Sequence, residues 1–575
     1  MYCDKENVNT LTALLIAHGV RHAVVCPGSR NAPVVHNLDV CPDIQCYPIT
    51  DERSAAFYAL GLCQATEKPV VVCVTSGTAL LNTLPAVAEA MYQHLPLIVV
   101  SADRPRQWIG QLTGQTMPQP GALTCFVKRT VDLPEPHNEE EHWYCNRLVN
   151  EALITATQEC QGPVHINVPI SEPLYSFSTR ELPSERTIIH RSLLSAHGCE
   201  KEESASVSAV TAVAHDLLQQ LAEAERPLIV IGQMKPSDLA KGRIASLTDK
   251  HYVVWNEALS GEEGATSLEE MLAMAGDNED FRPDFILYIG DTLVSKRAKQ
   301  LLRQAKDATC WEVNADGTVH DPMMNLRGIV QARPDDVLAA ISGEGPREWF
   351  DRWEALRWKA EEHRHSFNPS YSNLLAVKLL EEQLSHTAEG YALHYANSTP
   401  VRLGCLYARE HVYCNRGING IEGSLSTAAG FSLATDAPVY CVIGDLSFFY
   451  DQNALWNRHL KGNLRILLLN NGGGGIFRQL KGLEASPSRD LFIAGSHQTT
   501  AEGVCLTHHV TYLSAGNQAE LDERLDQLVR AESDRPVLLE VHTDAAADAR
   551  AMRGLIEWLG QTSADSHTES STNNA

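Results

Sequence analysis

No apolar run in the 575-residue chain approaches the roughly 18 to 20 residues that a bilayer-spanning helix needs, so no transmembrane segment is expected. The N-terminus (MYCDKENVNTLTALLIAHGV) lacks a basic region, an apolar block and a small-residue cleavage site in that order; it reads as a first helix rather than a signal peptide. None of the 15 cysteines forms a Cys-x-x-Cys pair, which excludes the common zinc and dithiol motifs. Several, such as Cys73 and Cys441, sit inside apolar strand-like runs and read as small buried hydrophobes of a reducing, cytoplasmic protein. Positive charge is scarce, with 47 Lys and Arg against 72 Asp and Glu for a net charge of −25. That balance argues against nucleic-acid partners and anionic membrane surfaces. Any anion site must therefore be a local gathering of Arg and Lys against the global field. No Gly-x-Gly-x-x-Gly opens a helix after a first strand, which weakens a nicotinamide-dehydrogenase reading.

Hydrophobic residues (44%) and charged residues (21%) are in ordinary globular proportion, and the length demands several cores. Three sections alternate short β-branched runs with helix-like stretches, the pattern of parallel α/β domains. The expected division is 1–182, 209–345 and 366–560, with a polar, disordered tail at 561–575. Expected strands are His22–Cys26, Ile44–Ile49, Pro69–Thr75, Leu97–Ser101 and Val164–Val168 in the first section, and Leu228–Ile231, Tyr252–Trp255, Phe285–Ile289 and Thr309–Val313 in the second. Those of the third include Val412–Cys414, Val439–Ile443 and Leu464–Leu469. Asp51–Ala65 and Trp349–His365 read as helices, and the polar stretch Ser184–Ser208 as a linker. Two similar domains flanking a third point to duplication.

The run PVYCVIGDLSFFYDQNALW reads as a buried strand ending at Gly444, an acidic turn and a helix; LRILLLNNGGGGIF is a second buried strand breaking into glycines. Asp445 and Asn471 then fall at the carboxyl ends of two strands, about one βαβ crossover apart, where open α/β sheets bind ligands. A carboxylate, an amide oxygen and a carbonyl from the glycine turn are hard oxygen donors suited to Mg²⁺, and a diphosphate would complete its octahedron. The helix-start amides after Gly444, through Leu446 and Ser447, add anion stabilisation. The bland alternative is a helix N-cap followed by a flexible loop, but four glycines after Asn-Asn at this distance from Gly-Asp form a more specific pattern.

This segment resembles the signature of thiamine-diphosphate enzymes, Gly-Asp-x through Asn-Asn. The resemblance implies thiamine diphosphate and Mg²⁺ (or Mn²⁺), the metal being held by Asp445, the Asn471 side chain and the Gly473 carbonyl. Leu446 and Gly472 depart from the commonest form of the signature without removing a ligand. Thiamine chemistry needs a carboxyl group beside the aminopyrimidine N1′. In YPITDERSAAFYALGL, Glu52 follows a strand and opens a helix, and is the candidate activator; alone, it would read as a complement to the helix dipole.

Further segments narrow the resemblance: CPGSRNAP, DERSA, VTSGTAL, SADRP, TGQ, GDTLVSKR, NSTPVRL, NRGINGIEGSLSTAAG, GDLSFFYDQNAL and NNGGGGIF. In this order, from about Asn9 to Leu559, they are similar to the 2-succinyl-5-enolpyruvyl-6-hydroxy-3-cyclohexene-1-carboxylate synthase family of menaquinone biosynthesis. What this implies is a transferase that decarboxylates 2-oxoglutarate and adds the succinyl-semialdehyde unit to isochorismate. Both substrates are dicarboxylates, so several guanidinium or ammonium groups are needed. Ser29, Arg30, Arg104, Gln115 and Lys296 match the family's isochorismate positions. Ser398, Arg402 and Arg416 match those holding the acid derived from 2-oxoglutarate, Ile476 and Phe477 the apolar wall, and Ile421 the wedge beneath the bent cofactor. Singly, each basic residue would more often be a solvated or salt-bridged side chain; convergence from three domains favours a site. Lys296, in the middle domain, is the least anchored. No histidine is required, and His508-His509 reads as structural. The resemblance also implies a homodimer or homotetramer with active sites between subunits. The alternative within thiamine enzymes is an acetolactate-synthase-like enzyme or a 2-oxoacid decarboxylase acting on a small apolar acid.

Overall fold

A computed structural model describes residues 1–158, 160–190, 210–261, 267–387, 390–480 and 482–572. Three wholly parallel sheets organise the chain. The first comprises β1 (His22–Val25), β2 (Gln45–Pro48), β3 (Val70–Val74), β4 (Leu97–Asp103), β5 (Arg129–Asp132) and β6 (Val164–Pro169), in the order β2-β1-β3-β4-β6-β5. The second has β7 (Pro227–Ile231), β8 (Val253–Asn256), β9 (Phe285–Ile289), β10 (Thr309–Asn314) and β11 (Leu326–Gln331), in the order β11-β10-β9-β7-β8. The third has β12 (Ala392–Tyr395), β13 (Val412–Tyr413), β14 (Val439–Gly444), β15 (Leu464–Asn470), β16 (Thr511–Ala515) and β17 (Val537–His542), in the order β13-β12-β14-β15-β17-β16.

The first and third orders are the same permutation, which is the topological content of the expected duplication. In both, the chain reverses its direction of travel beside the central pair (β1/β3 and β12/β14), and there the carboxyl ends of the strands open a crevice. The expected strands recur with shifts of a residue or two at their ends. Strands β5, β11, β12, β16 and β17 were not read from the sequence; of these β5 and β11 are edge strands in which a single residue is buried. Polar side chains along an edge erase the apolar run that marks a central strand.

Seven helices matter for the site: α1 (Glu52–Thr66), α2 (Lys296–Gln304), α3 (Arg347–Ser366), α4 (Thr399–Tyr407), α5 (Ser424–Ser432), α6 (Asp445–Tyr450) and α7 (Ala545–Thr572). The N-terminal segment forms a helix over Glu6–Ala17, as expected. Helix α7 carries the chain past Leu559; side chains from 560 onward and residues 573–575 lie outside the described residues, as does most of the expected linker, 191–209.

Helix α1 of the first domain crosses α5 of the third at backbone contact. A Cβ at Gly61 would overlap the Thr427 carbonyl oxygen, and one at Gly430 the Tyr58 carbonyl oxygen, so only glycine permits this approach. The Ser54 and Ser426 hydroxyls meet at 2.8 Å, and the Tyr58 hydroxyl donates to the Ala454 carbonyl at 2.5 Å. One continuous core therefore runs from Val24, Phe57 and Leu60 through Leu425 and Ala428 to Ile443 and Ile466. Among the described residues no helix is long and apolar enough to cross a membrane.

Candidate active site

Asp445 opens α6 immediately after β14, in register with β15, whose end delivers Asn470 and Asn471. Its carboxylate is buried. Oδ1 accepts from the Leu446 N–H at 2.7 Å, and Oδ2 from the N–H groups of Asn471 (3.2 Å) and Gly473 (2.9 Å). Burial raises its pKa and these amides counter the rise. The turn that presents two amides to one oxygen needs glycine: Gly472 has φ +76° and Gly473 φ +147°. The loop 494–499 braces the turn, with Gly474 N–H donating to Ala494 O and His497 N–H to Gly472 O.

The Asn471 side chain is also held. Its Nδ2 donates to Asp548 Oδ2 at 2.8 Å, leaving Oδ1 as the free end. Asp548, on α7, accepts in addition from the Asn373 backbone and side chain and from Thr543. A buried carboxylate flanked by an oriented amide oxygen and a glycine carbonyl is a donor set suited to a hard dication, and no Lys or Arg among the described residues pairs with Asp445. The residues present thus fit the metal and diphosphate that the sequence pattern implies. Two members were not anticipated. Asp548 lies far from the Gly-Asp … Asn-Asn segment and has no motif of its own. His497 Nε2 comes within 3.4 Å of Asp445 Oδ2, while Nδ1 accepts from Thr499 N–H. The pair His508-His509 ends the helix Glu502–His508, where the His508 carbonyl accepts from Arg535.

Across the crevice, Ser398 ends the turn after β12 with φ +74°, a conformation costly for any residue but glycine. It leads into α4, which carries Arg402. Arg416 is buried, donates to Asn397 Oδ1 at 3.3 Å and keeps Nε without a partner. Burial and the Arg416 charge both lower the Arg402 pKa; burial, Arg416 and Arg402 together lower that of Lys299. The three cations form one cluster, with the buried Glu257 as counter-charge. Lys296 instead begins α2 with its side chain exposed, and it is Lys299, one turn on, that faces the arginines. Glu89 of the first domain clamps the Arg416 loop by accepting the N–H groups of Gly417 (2.7 Å) and Ile418 (2.8 Å). Ile421 is 42% exposed, while Ile476 and Phe477 are half-buried in the turn after the glycines.

The remaining candidates occupy the crevice of the first sheet. Arg30, buried after β1, donates to the Ile170 carbonyl at 2.9 Å and pairs with Glu172 at 3.3 Å. Arg104 follows β4 and donates to Gly114 O, and Gln115 (φ +57°) packs beside Gly77. Ser29 and Gln115 are exposed. Glu52 follows β2 at the head of α1 and is half-buried; its charge, after burial, helps raise Cys26 at the end of β1. Its carboxylate has no hydrogen-bond or ion-pair partner among the described residues. Arg53 Nη2 donates to the Tyr450 carbonyl at 2.8 Å, which sets the head of α1 at the far end of α6 from Asp445. No hydrogen bond or ion pair among the described residues joins the first-sheet group to the Asp445 or Arg416 groups.

Comparison with known proteins matches residues 7–122 to the thiamine pyrophosphate enzyme N-terminal TPP binding domain, and residues 402–541 to the corresponding C-terminal TPP binding domain. A protein of Bacteroides thetaiotaomicron is 41% identical over 98% of this chain and 100% of its own length. One from Desulfotalea psychrophila is 36% identical over 94% and 98%, and one from Porphyromonas gingivalis 34% identical over 97% and 98%. All three are named 2-succinyl-5-enolpyruvyl-6-hydroxy-3-cyclohexene-1-carboxylate synthase.

Proposed function

The chain belongs to the 2-succinyl-5-enolpyruvyl-6-hydroxy-3-cyclohexene-1-carboxylate synthase family of thiamine-diphosphate enzymes, and from that premise we propose that it joins 2-oxoglutarate to isochorismate at a site shared between two copies of the chain. The activity is thiamine-diphosphate-dependent synthesis of that carboxylate in menaquinone biosynthesis, a carbon–carbon bond-forming transfer. The substrates, the metal and the residue roles are our reading. Its carrying observation is the buried Asp445 at the β14 terminus, bonded to the Asn471 and Gly473 amides, with a triple cation cluster across the crevice.

Asp445, Asn471 Oδ1 and the Gly473 carbonyl would hold Mg²⁺, and the amides from Gly444 through Ser447 would stabilise the diphosphate. Bound there, thiamine diphosphate supplies the electron sink for decarboxylation. Glu52 would share a proton with the pyrimidine N1′, its carboxylate having no partner among the described residues. Ile421 would support the bound cofactor. Arg402 and Arg416, with Ser398, orient the carboxylates of the 2-oxoglutarate-derived unit, and Ile476 and Phe477 exclude water from it. Ser29, Arg30, Arg104 and Gln115 receive isochorismate, and the exposed Lys296 joins them only where a second copy covers it. We infer a homodimer at least, in which Glu52 of one copy serves the metal half of another, as the family resemblance implies.

Turnover with 2-oxoglutarate plus isochorismate, against pyruvate alone, tests the substrates. Carboxylate product from the pair and none from pyruvate is expected; acetoin or acetolactate from pyruvate would establish the decarboxylase reading instead. Chelator should abolish turnover, and Mg²⁺ or Mn²⁺ should restore it.

A further inference from the structure

A second constellation, of residues not used above, lines a cavity of about 1090 Å³ where all three domains meet and which Lys299 and Arg416 also border. Cys160, just past the helix Glu139–Thr157, sets its Sγ 3.0 Å from His94 Nδ1. The other ring nitrogen of His94 lies 3.5 Å from Asp291 Oδ1 of the central domain. Thiol, imidazole and carboxylate thus stand in line, the order in which a carboxylate orients a base that serves a nucleophile. Several features show the alignment to be held. His94 has φ +51°, a strained conformation for a residue with a Cβ. Lys235 of the central domain donates both to the His94 carbonyl and to Gln161 Oε1, each at 2.8 Å, tying the two ends of the pair to one ammonium. The Lys128 ammonium caps the Cys160 carbonyl. Asp316 Oδ2, 3.9 Å from Sγ, is the more distant acceptor for the thiol.

Burial lowers the His94 pKa, but the hydrogen bonds and charges of Asp291 and Cys160 outweigh it and carry the imidazole up to about 10. The ring is thereby made a strong proton acceptor for the thiol beside it. The half-exposed Cys160 opens onto a space large enough for a small organic molecule. Cys125 lines the same cavity, is exposed, and has no hydrogen-bond partner among the described residues. It supplies an internal control for simple accessibility.

We propose that Cys160, with His94 as proton acceptor and Asp291 as the group that orients it, is a nucleophilic modification site that undergoes thiol–disulfide exchange with small organic disulfides. The sulfur attacks one disulfide sulfur, forming the Cys160 mixed disulfide as the old S–S bond breaks. Cys160 is oxidised and the departing sulfur reduced, and the thiol proton passes through His94 Nδ1 to the leaving thiolate. Nothing in this step uses thiamine diphosphate or the metal.

The test is the time course of labelling of the full-length protein by dithiodipyridine at neutral pH, with mixed disulfides located by peptide mapping. Cys160 is expected to react about tenfold faster than Cys125. His94→Gln and Asp291→Asn should bring the Cys160 rate down toward that of Cys125 while leaving Cys125 itself unchanged, which also reports an intact fold. The two variants lie in different domains, so one that misfolds leaves the other to decide. Labelling of Cys160 no faster than Cys125, or undiminished in His94→Gln, overturns the proposal.

Discussion

The two crevices of the molecule share a strand permutation and differ in self-sufficiency. In the third domain the Asp445 carboxylate is engaged from within the chain: the Asn471, Gly473 and Leu446 amides satisfy it, and Asp548 fixes the Asn471 side chain. In the first domain Glu52 has no partner among the described residues and Ser29 and Gln115 are exposed, although Arg30 is buried and braced. A prebuilt half and an open half teach that the sheet topology supplies a place for chemistry twice, while the chain completes only one of them. The intrachain α1–α5 contact, closed by Gly61 and Gly430, sets the head of α1 against the Tyr450 end of α6.

The sharpest way to break that comparison is to damage one half in each of two chains. Glu52→Gln and Asp445→Ala should each be inactive as pure proteins. Co-expressed, they should recover about a quarter of wild-type turnover, since random pairing makes half of the dimers mixed and each mixed dimer retains one intact site of two. Recovery of none would mean that both carboxylates act within one chain. Glu52→Gln alone should lower kcat by about 10²- to 10⁴-fold, the range of general acid–base assistance, with diphosphate and metal binding retained by calorimetry.

Next in size is Asp548. Asp548→Ala frees the Asn471 amide to rotate and should weaken Mg²⁺ binding by about 10- to 100-fold, the usual cost of losing a partner behind a metal ligand. The same change in the first-domain crevice has no counterpart. Asp548→Asn, which keeps an acceptor oxygen, should fall between wild type and alanine.

How much of this was legible in the sequence follows the same divide. Strands buried on both faces, such as β3, β4, β14 and β15, announce themselves as unbroken apolar runs, and the metal segment is legible because its parts abut strand ends within one crossover. Asp548 and His497 were not legible: each reaches the site through tertiary packing from a segment with no chemical signature. Lys296 was read from its place in the SKR run, yet helical phase sends it outward and brings Lys299 toward Arg402 and Arg416. Lys299→Ala should therefore raise the KM of one dicarboxylate by about tenfold, near one charge-assisted hydrogen bond, and exceed the effect of Lys296→Ala. A larger effect at Lys296 would show that a second copy covers it.

The smallest expected effect lies at the seam between the halves. Asp451 is fully buried, its carboxylate accepting from the Ser426 N–H at 2.7 Å and hydroxyl at 2.8 Å at the start of α5. Burial pushes its pKa from 3.8 up to about 7 despite those bonds, with Arg53 of the first domain lowering it and Asp51 raising it. Between these two values the folded protein keeps a proton that the unfolded chain has released. Asp451 therefore contributes stability at the acid end of the window, lost as the pH rises from about 4 to 7. Asp451→Asn should flatten that part of the stability–pH curve in denaturant titrations while retaining an acceptor for Ser426. Arg53→Ala, which removes the first domain's cation without touching Asp451, should carry the slope on to higher pH by raising the carboxyl further. If both variants leave the slope unchanged, the first domain's charges do not reach Asp451 and the seam is electrostatically silent.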